Sequence, residues 1–311
     1  VHPKPFWSFR PRSDREAGDA VVSNFLLHWF PAKSYKPSLD WTYSFWLGTA
    51  SAALFFLLVL SGLPLLLLYV PSVERAYGSV KDIEFVVTFG SWIRAVHRIS
   101  AHLMVAVVFL HLVRVFLTGA YKNGTGRGQR REWNWVLGVV MIVVTLFLSF
   151  TGYLLPWDQL AYWAVTVGTN IASSIPWVGP QVRELLIGGR SIDQATLLRF
   201  YVLHVIFLPG GLGALLAYHM WRVRKDGGLA RADRATLAPE KRETAPARTK
   251  TYSLLGVARG QAPTVRAVTL EAADTTVNSV NDLVRRIAIV VLGTFAVVSI
   301  LACFVPSPLE E

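Results

Sequence analysis

Five stretches of this chain are apolar for long enough to cross a bilayer, and polar segments separate them. About twenty consecutive apolar residues suffice for a helix to span the hydrocarbon core. The pattern predicts helices over about Trp41–Tyr69, Trp92–Gly119, Trp133–Leu155, Thr196–Val223 and Leu283–Val305. The third stops at Pro156, which cannot continue a helix. Pro209, Gly210, Gly211 and Gly213 fall inside the fourth and predict a kink or loosening there. Val21–Phe30 reads as a short amphipathic helix at the membrane surface. Leu160–Ala172 is a second amphipathic stretch, in the long loop before the fourth helix, and is followed by a turn over Pro176–Pro180. Arg224–Asp282 is basic and rich in Ala, Thr and Arg, with no apolar run, and reads as a linker that is partly disordered or draped over partners. The expected organisation is a surface segment over 1–40, a four-helix bundle over 41–228, a basic linker over 229–282, and a fifth transmembrane helix with its tail over 283–311. The expected fold class is all-α and polytopic.

Composition supports this. The chain is 53% hydrophobic, with a mean hydropathy of +0.41. Its formal charge of +11 could suggest a nucleic-acid partner, but the distribution argues for a membrane. Lys and Arg number 6 before Asp40, 4 in Tyr121–Arg131 and 13 in Arg222–Arg286, whereas the loops 69–90 and 156–198 hold only Arg75, Lys81, Arg183 and Arg190. Basic segments on one side place the N-terminus in the cytoplasm and the C-terminus outside. No h-region lies in the first forty residues, so no cleavable signal peptide is expected. The single cysteine, Cys303, excludes a disulfide within the chain and a Cys-x-x-Cys-His haem attachment.

Within the second helix stand His97 and His111, fourteen residues apart; within the fourth stand His204 and His219, fifteen apart. On an ideal helix these spacings bring each pair within about 40° and about 60° of one face, and fourteen residues rise roughly 21 Å. A buried imidazole in lipid needs a partner, and haem iron accepts it axially. One such histidine alone reads equally well as a hydrogen-bonded core residue. Two pairs in register specify two stacked six-coordinate haems. His102 points roughly 140° from His97 and reads as a packing or headgroup residue. His2 and His28 lie in the polar N-terminal segment and read as solvated.

Glycine repeats the spacing. Gly48 and Gly62 on the first helix, and Gly138 and Gly152 on the third, are each fourteen apart. Without a Cβ they let a flat macrocycle approach the backbone, although one such pair alone reads as ordinary small-residue packing. Arg94 precedes His97 by three and Arg114 follows His111 by three. Each is placed to meet a haem propionate, or else to snorkel to headgroups.

These residues carry a resemblance. The chain is similar to cytochrome b of the quinol-oxidising bc-type complexes, in the short split form of b6f complexes. The matching residues are Arg94-x-x-His97-Arg98, His111-x-x-Arg114-Val115, Thr151-Gly152-Tyr153-x-Leu155-Pro156-Trp157-Asp158-Gln159, Tyr162-Trp163-Ala164-Val165 and Thr196-Leu197-x-Arg199-Phe200-Tyr201-x-Leu203-His204. The fifteen-residue spacing is the b6f-like value, where the mitochondrial type has fourteen. Asn281-Asp282-Leu283 with Val291–Ala296 resembles the first helix of subunit IV, the second piece of the split form.

The resemblance implies two non-covalent haems b. His97 and His204 would hold the outer one, His111 and His219 the one nearer the cytoplasm, with Arg98, Trp135 and Arg199 among the cofactor contacts. Tyr153, Trp163, Ala164, Val167 and Pro176 would line a quinol-oxidation site, and Arg224 would lie near a cytoplasmic quinone-reduction site. One electron would pass to a Rieske iron–sulfur protein and on to a c-type cytochrome or plastocyanin-like acceptor. The other would cross the membrane to reduce quinone, with proton translocation. The setting would be a bacterial cytoplasmic or photosynthetic membrane, in a homodimeric complex among lipid and quinone. The chain departs from the pattern in three respects: Trp46 stands where b6-type members carry a haem-attaching cysteine, so no covalent haem is expected; the loop with Pro-Glu-Trp-Tyr is missing; and the Arg224–Asp282 linker is longer than the pattern implies. A separate subunit IV-like chain would supply that loop's Glu, leaving Asp158 a supporting role at most. An alternative from another class is a non-bifurcating di-haem anchor, passing electrons between quinone and a peripheral dehydrogenase.

Overall fold

The computed structural model describes residues 33–123, 130–226, 228–230, 277–305, 307 and 309. Val21–Phe30, both N-terminal histidines and most of the 229–282 segment lie outside them. The described residues form ten α-helices: α1 Trp41–Ser44, α2 Leu47–Leu68, α3 Ala76–Phe85, α4 Gly90–Leu117, α5 Arg131–Tyr153, α6 Gln159–Ser173, α7 Gly179–Ile187, α8 Gln194–Val202, α9 Leu208–Lys225 and α10 Val280–Phe304. Five helical spans among them are long and apolar enough to cross a membrane: α2, α4, α5, the continuous run Gln194–Lys225, and α10.

The chain divides into two compact units, one of 1–45 with 227–286 and the other of 46–226 with 287–311. The described part of the first unit carries the sole departure from an all-α fold, an antiparallel ribbon of β1 Lys33–Tyr35 and β2 Val277–Ser279 in which Ser34 faces Asn278. Around it, Ser38 Oγ donates to the Ala230 carbonyl at 2.8 Å. Arg286 donates to the Leu39 carbonyl at 2.7 Å and lies over the Trp41 ring at 5.6 Å.

The second unit is the bundle. Its core joins Leu54 of α2, Val96, Ile99 and Met104 of α4, Leu212 of α9, and Val298 and Ala302 of α10. Outside this core the long helices expose apolar side chains such as Leu67, Phe109, Phe147 and Leu292, as a helix facing lipid must. At one end α6 and α7 form a hairpin, where Leu154, Val165 and Phe200 make a second small core. The Gln194 side chain ties that end together, accepting from Val73 N and donating to the Pro71 carbonyl, each at 2.9 Å. At the opposite end buried Arg222 pairs with Asp226 at 2.9 Å and donates to the Arg130 carbonyl at 2.7 Å.

Two helices differ from expectation. The first is broken: Phe45 and Trp46 adopt left-handed backbone, φ 48° and 52°, so the one-turn α1 ends and α2 starts at Leu47. Neither residue is a Gly or Asn, the types that signal such a turn. The fourth is loosened, though not at its glycines. Leu203–Phe207 forms a π-turn that contains His204, between α8 and α9. Pro209 has no N–H and its ring clashes with the carbonyl four residues back, which here lies in that turn.

The π-turn changes the histidine geometry. It accommodates one extra residue within a helix that otherwise runs as α. With that residue absorbed, the fifteen-residue step from His204 to His219 turns like fourteen, about 40° short of four full turns. That equals the step from His97 to His111 on α4.

Candidate functional site: two histidine pairs

The four histidines are partly buried in the bundle, whereas His102 is exposed on the outside of α4. His97 faces His204, their ring centroids 6.3 Å apart with the planes at 74°. His97 Nδ1 lies 3.0 Å from Ser61 Oγ. His204 Nδ1 lies 3.2 Å from Thr151 Oγ1 and 3.1 Å from the Leu148 carbonyl. One helical length along the bundle, His111 lies within electrostatic reach of His219 and of Arg114. The Nδ1 atoms of His111 and His219 are buried without a hydrogen-bond partner among the described residues. The Asn134 backbone also approaches the His219 ring.

These residues fit haem. A metal held between two imidazole nitrogens at about 2 Å each leaves ring centres about 6 Å apart, and the observed 6.3 Å matches. The glycines lie against the same rings. A Cβ on Gly152 would come within 2.5 Å of His204 Cε1, on Gly48 within 3.0 Å of His111 Cε1, and on Gly62 within 3.2 Å of His97 Cε1. Gly138 differs from the expectation: its nearest neighbour is Leu112 Cδ1 at 3.8 Å, and no histidine is in contact.

Two of the candidate arginines have partners within the protein. Arg94 holds Glu84 at 2.7 Å and the Ser307 carbonyl at 2.7 Å, which ties the segment after α10 to α4. Arg199 is exposed and donates to the Leu185 carbonyl at the end of α7. The remaining cofactor candidates lie inside the bundle. Arg98 and Arg114 are partly buried on α4. Trp135 packs against Phe116 and Tyr121, with centroids 6.1 Å away in both cases, and its buried Nε1 has no hydrogen-bond partner among the described residues. Arg224 Nη1 is also buried and has no hydrogen-bond partner among the described residues. Trp46 is 7% exposed.

The family is decided by comparison. The Cytochrome b/b6/petB family profile matches residues 32–227. This chain belongs to the cytochrome b/b6 family. It is 43% identical to cytochrome b6 of Synechococcus elongatus over 181 residues, 58% of this chain and 81% of that protein. Cytochrome b6 of Prochlorococcus marinus is 42% identical, over 58% of this chain and 80% of the relative. A solved chain of a "Hyperthermophilic respiratory Complex III" superposes with a TM-score of 0.63 at 25% identity, covering 88% of this chain. This chain spans 62% of the length of that one. With five apolar helices, this cytochrome b/b6 chain is an integral membrane protein.

The α6–α7 hairpin of this family member presents an apolar face. Leu160, Trp163, Val167 and Ile171 follow one another along α6 and are all exposed, while Ala161, Val165 and Thr169 bury the opposite side. Tyr153, Pro176 and Trp177 are exposed nearby in sequence, and Ala164 packs on the Leu154–Phe200 core. A separate open cleft of about 330 Å³ is lined by Tyr77, Trp157, Asp158, Gln159 and Tyr162. Asp158 has a structural task there: its carboxylate caps α6 by accepting from Ala161 N at 2.8 Å.

Ser61 and Thr151 were missed by sequence reasoning. The signal was present, since each hydroxyl residue stands immediately before a glycine that touches a histidine.

Proposed function

We propose that this chain is the di-haem cytochrome b subunit of a bc-type quinol:cytochrome c oxidoreductase. Haem, when bound, supplies reversible one-electron carriage. His97 and His204 would hold one haem b non-covalently and His111 and His219 the second, with Trp135 and Arg114 near the latter. The fourteen-residue step would set the two sites about 21 Å apart along the helix axis.

The basic segments face the cytoplasm, which puts the α6–α7 hairpin outside. The exposed face of Trp163 and Val167, with Tyr153, Ala164 and Pro176, would form one apolar wall of a quinol-oxidation site beside a Rieske partner. Arg224 would serve a quinone-reduction site at the cytoplasmic end. A subunit IV-like chain carrying the Pro-Glu-Trp-Tyr loop would pack beside α10 and provide the proton acceptor, and the complex would be a homodimer. The observation that carries this reading is the facing of His97 and His204 at 6.3 Å, on two helices that each carry a second histidine in register.

The test is a redox-titrated visible spectrum of the purified complex with its subunits identified. Two b-type transitions with a co-purifying Rieske protein are expected. A complex with a flavin or molybdenum subunit and no Rieske protein would refute the proposal.

A further inference from the structure

The two histidine pairs differ in what stands behind them. Ser61 is buried, and its Oγ lies 2.7 Å from the Leu57 carbonyl and 3.0 Å from His97 Nδ1. A hydroxyl has one proton to give, and a carbonyl can only accept. The Ser61 proton therefore goes to Leu57, one turn back in its own helix. Its lone pair is left facing His97 Nδ1, so that nitrogen must be the one carrying hydrogen. Thr151 repeats the arrangement. Its Oγ1 donates to the Phe147 carbonyl at 2.9 Å and faces His204 Nδ1 at 3.2 Å, and the Leu148 carbonyl accepts from the same nitrogen at 3.1 Å. In both rings the proton is fixed on Nδ1, and Nε2 keeps its lone pair for a metal.

The other pair has no such hydroxyl behind it. Leu47 precedes Gly48 and Leu137 precedes Gly138, where Ser61 and Thr151 precede Gly62 and Gly152. An isobutyl group can accept nothing, and the Nδ1 atoms of His111 and His219 have no hydrogen-bond partner among the described residues. The difference lies within a single chain, between two histidine pairs on the same helices.

We propose that Ser61 and Thr151 are positioning residues that act through His97 and His204 alone, and that their hydroxyls set the iron potential of that haem below the potential it would have without them. The inference rests on the di-haem reading above. A ligating imidazole that donates its second N–H becomes the more basic ligand and holds its orientation. A more basic axial ligand favours ferric over ferrous iron, so the haem gives up its electron more readily. Because both hydroxyls are satisfied within their own helices, they act at the histidine only as acceptors and impose its tautomer.

The experiment titrates the b haems of the intact purified complex carrying Ser61→Ala, Thr151→Val or Leu47→Ser, with Ser61→Thr and Thr151→Ser as conservative partners. Haem stoichiometry of the unsubstituted complex comes first. Fewer than two b haems would overturn the di-haem reading itself, whatever the variants do. With two present, Ser61→Ala and Thr151→Val should each raise one midpoint by up to a tenfold change in the ferric-to-ferrous ratio, about 59 mV for one electron, and leave the other fixed. Ser61→Thr and Thr151→Ser should restore it. Leu47→Ser places a hydroxyl before Gly48 and should lower the midpoint of the second haem. It decides the matter if the hydroxyl-deleted proteins fail to assemble. Unchanged midpoints, or equal shifts of both haems, would overturn the proposal.

Discussion

Gly152→Ala is the most demanding test of the site, because a single methyl group meets a ligand ring directly. The new Cβ would lie 2.5 Å from His204 Cε1 and 3.1 Å from both ring nitrogens. Carbon atoms rest at about 3.5–4.0 Å, so the imidazole must retreat by about 1 Å or more. Overpacking of this kind costs about 1–3 kcal/mol. The ring is also held by Thr151 Oγ1 and the Leu148 carbonyl, and loosening those bonds costs about 1 kcal/mol more. A total of about 2–4 kcal/mol set against the ligating position weakens haem retention roughly 30- to 700-fold. The neighbours grade the effect. Gly48→Ala at 3.0 Å and Gly62→Ala at 3.2 Å require shifts of a few tenths of an ångström, while Gly138→Ala at 3.8 Å makes an ordinary contact. Reduced-minus-oxidised spectra of membranes carrying each variant measure the haem retained. Loss of one haem in Gly152→Ala, partial loss in Gly48→Ala and Gly62→Ala, and two haems in Gly138→Ala are expected. Full retention in Gly152→Ala beside loss in Gly138→Ala would refute the reasoning.

Three further outcomes follow from the geometry. Replacing His97 or His204 by Ala should remove one haem and spare most of the second, His111→Ala or His219→Ala should do the reverse, and His102→Ala should leave both, as counted by haem stoichiometry of the purified protein. Asp158→Ala should lower thermal stability by about 1 kcal/mol through the lost α6 cap, and Asp158→Asn should largely restore it; if Asp158 were the proton acceptor, quinol oxidation would fall equally in both variants. Denatured protein extracted with acid–acetone should show no haem stain, since Cys303 lies near the end of α10 and Trp46 cannot form a thioether.

The helices and the histidine pairs were legible because lipid imposes one rule on every span. A span must be apolar over its length, so the few polar side chains inside it stand out. His97, His111, His204 and His219 were found in that way, and the glycines by their matching interval. Features set by tertiary contact were not legible. Nothing in Phe45-Trp46 signals left-handed backbone. The partners of Arg94 lie 10 residues before it and 213 after it, and sequence alone pointed to neither. The pairing of Lys33–Tyr35 with Val277–Ser279 joins segments too short to show a strand pattern. Asp158 was given a supporting role at most in quinol oxidation, yet Asp-Gln at the head of an amphipathic stretch is also a helix start.

The π-turn at Leu203–Phe207 gives this helix a tolerance that the other histidine helix lacks. Deleting one residue from the turn would convert it to plain α-helix with the two histidines fourteen apart, still facing one side, and the haem spectrum should keep both bands. Deleting one residue between His97 and His111 has no turn to draw on and would swing one ring by about 100°. Deleting one residue is therefore neutral on one histidine helix and disabling on the other. A family could drift between fourteen and fifteen residues on this helix without any change in how its ligands meet the iron.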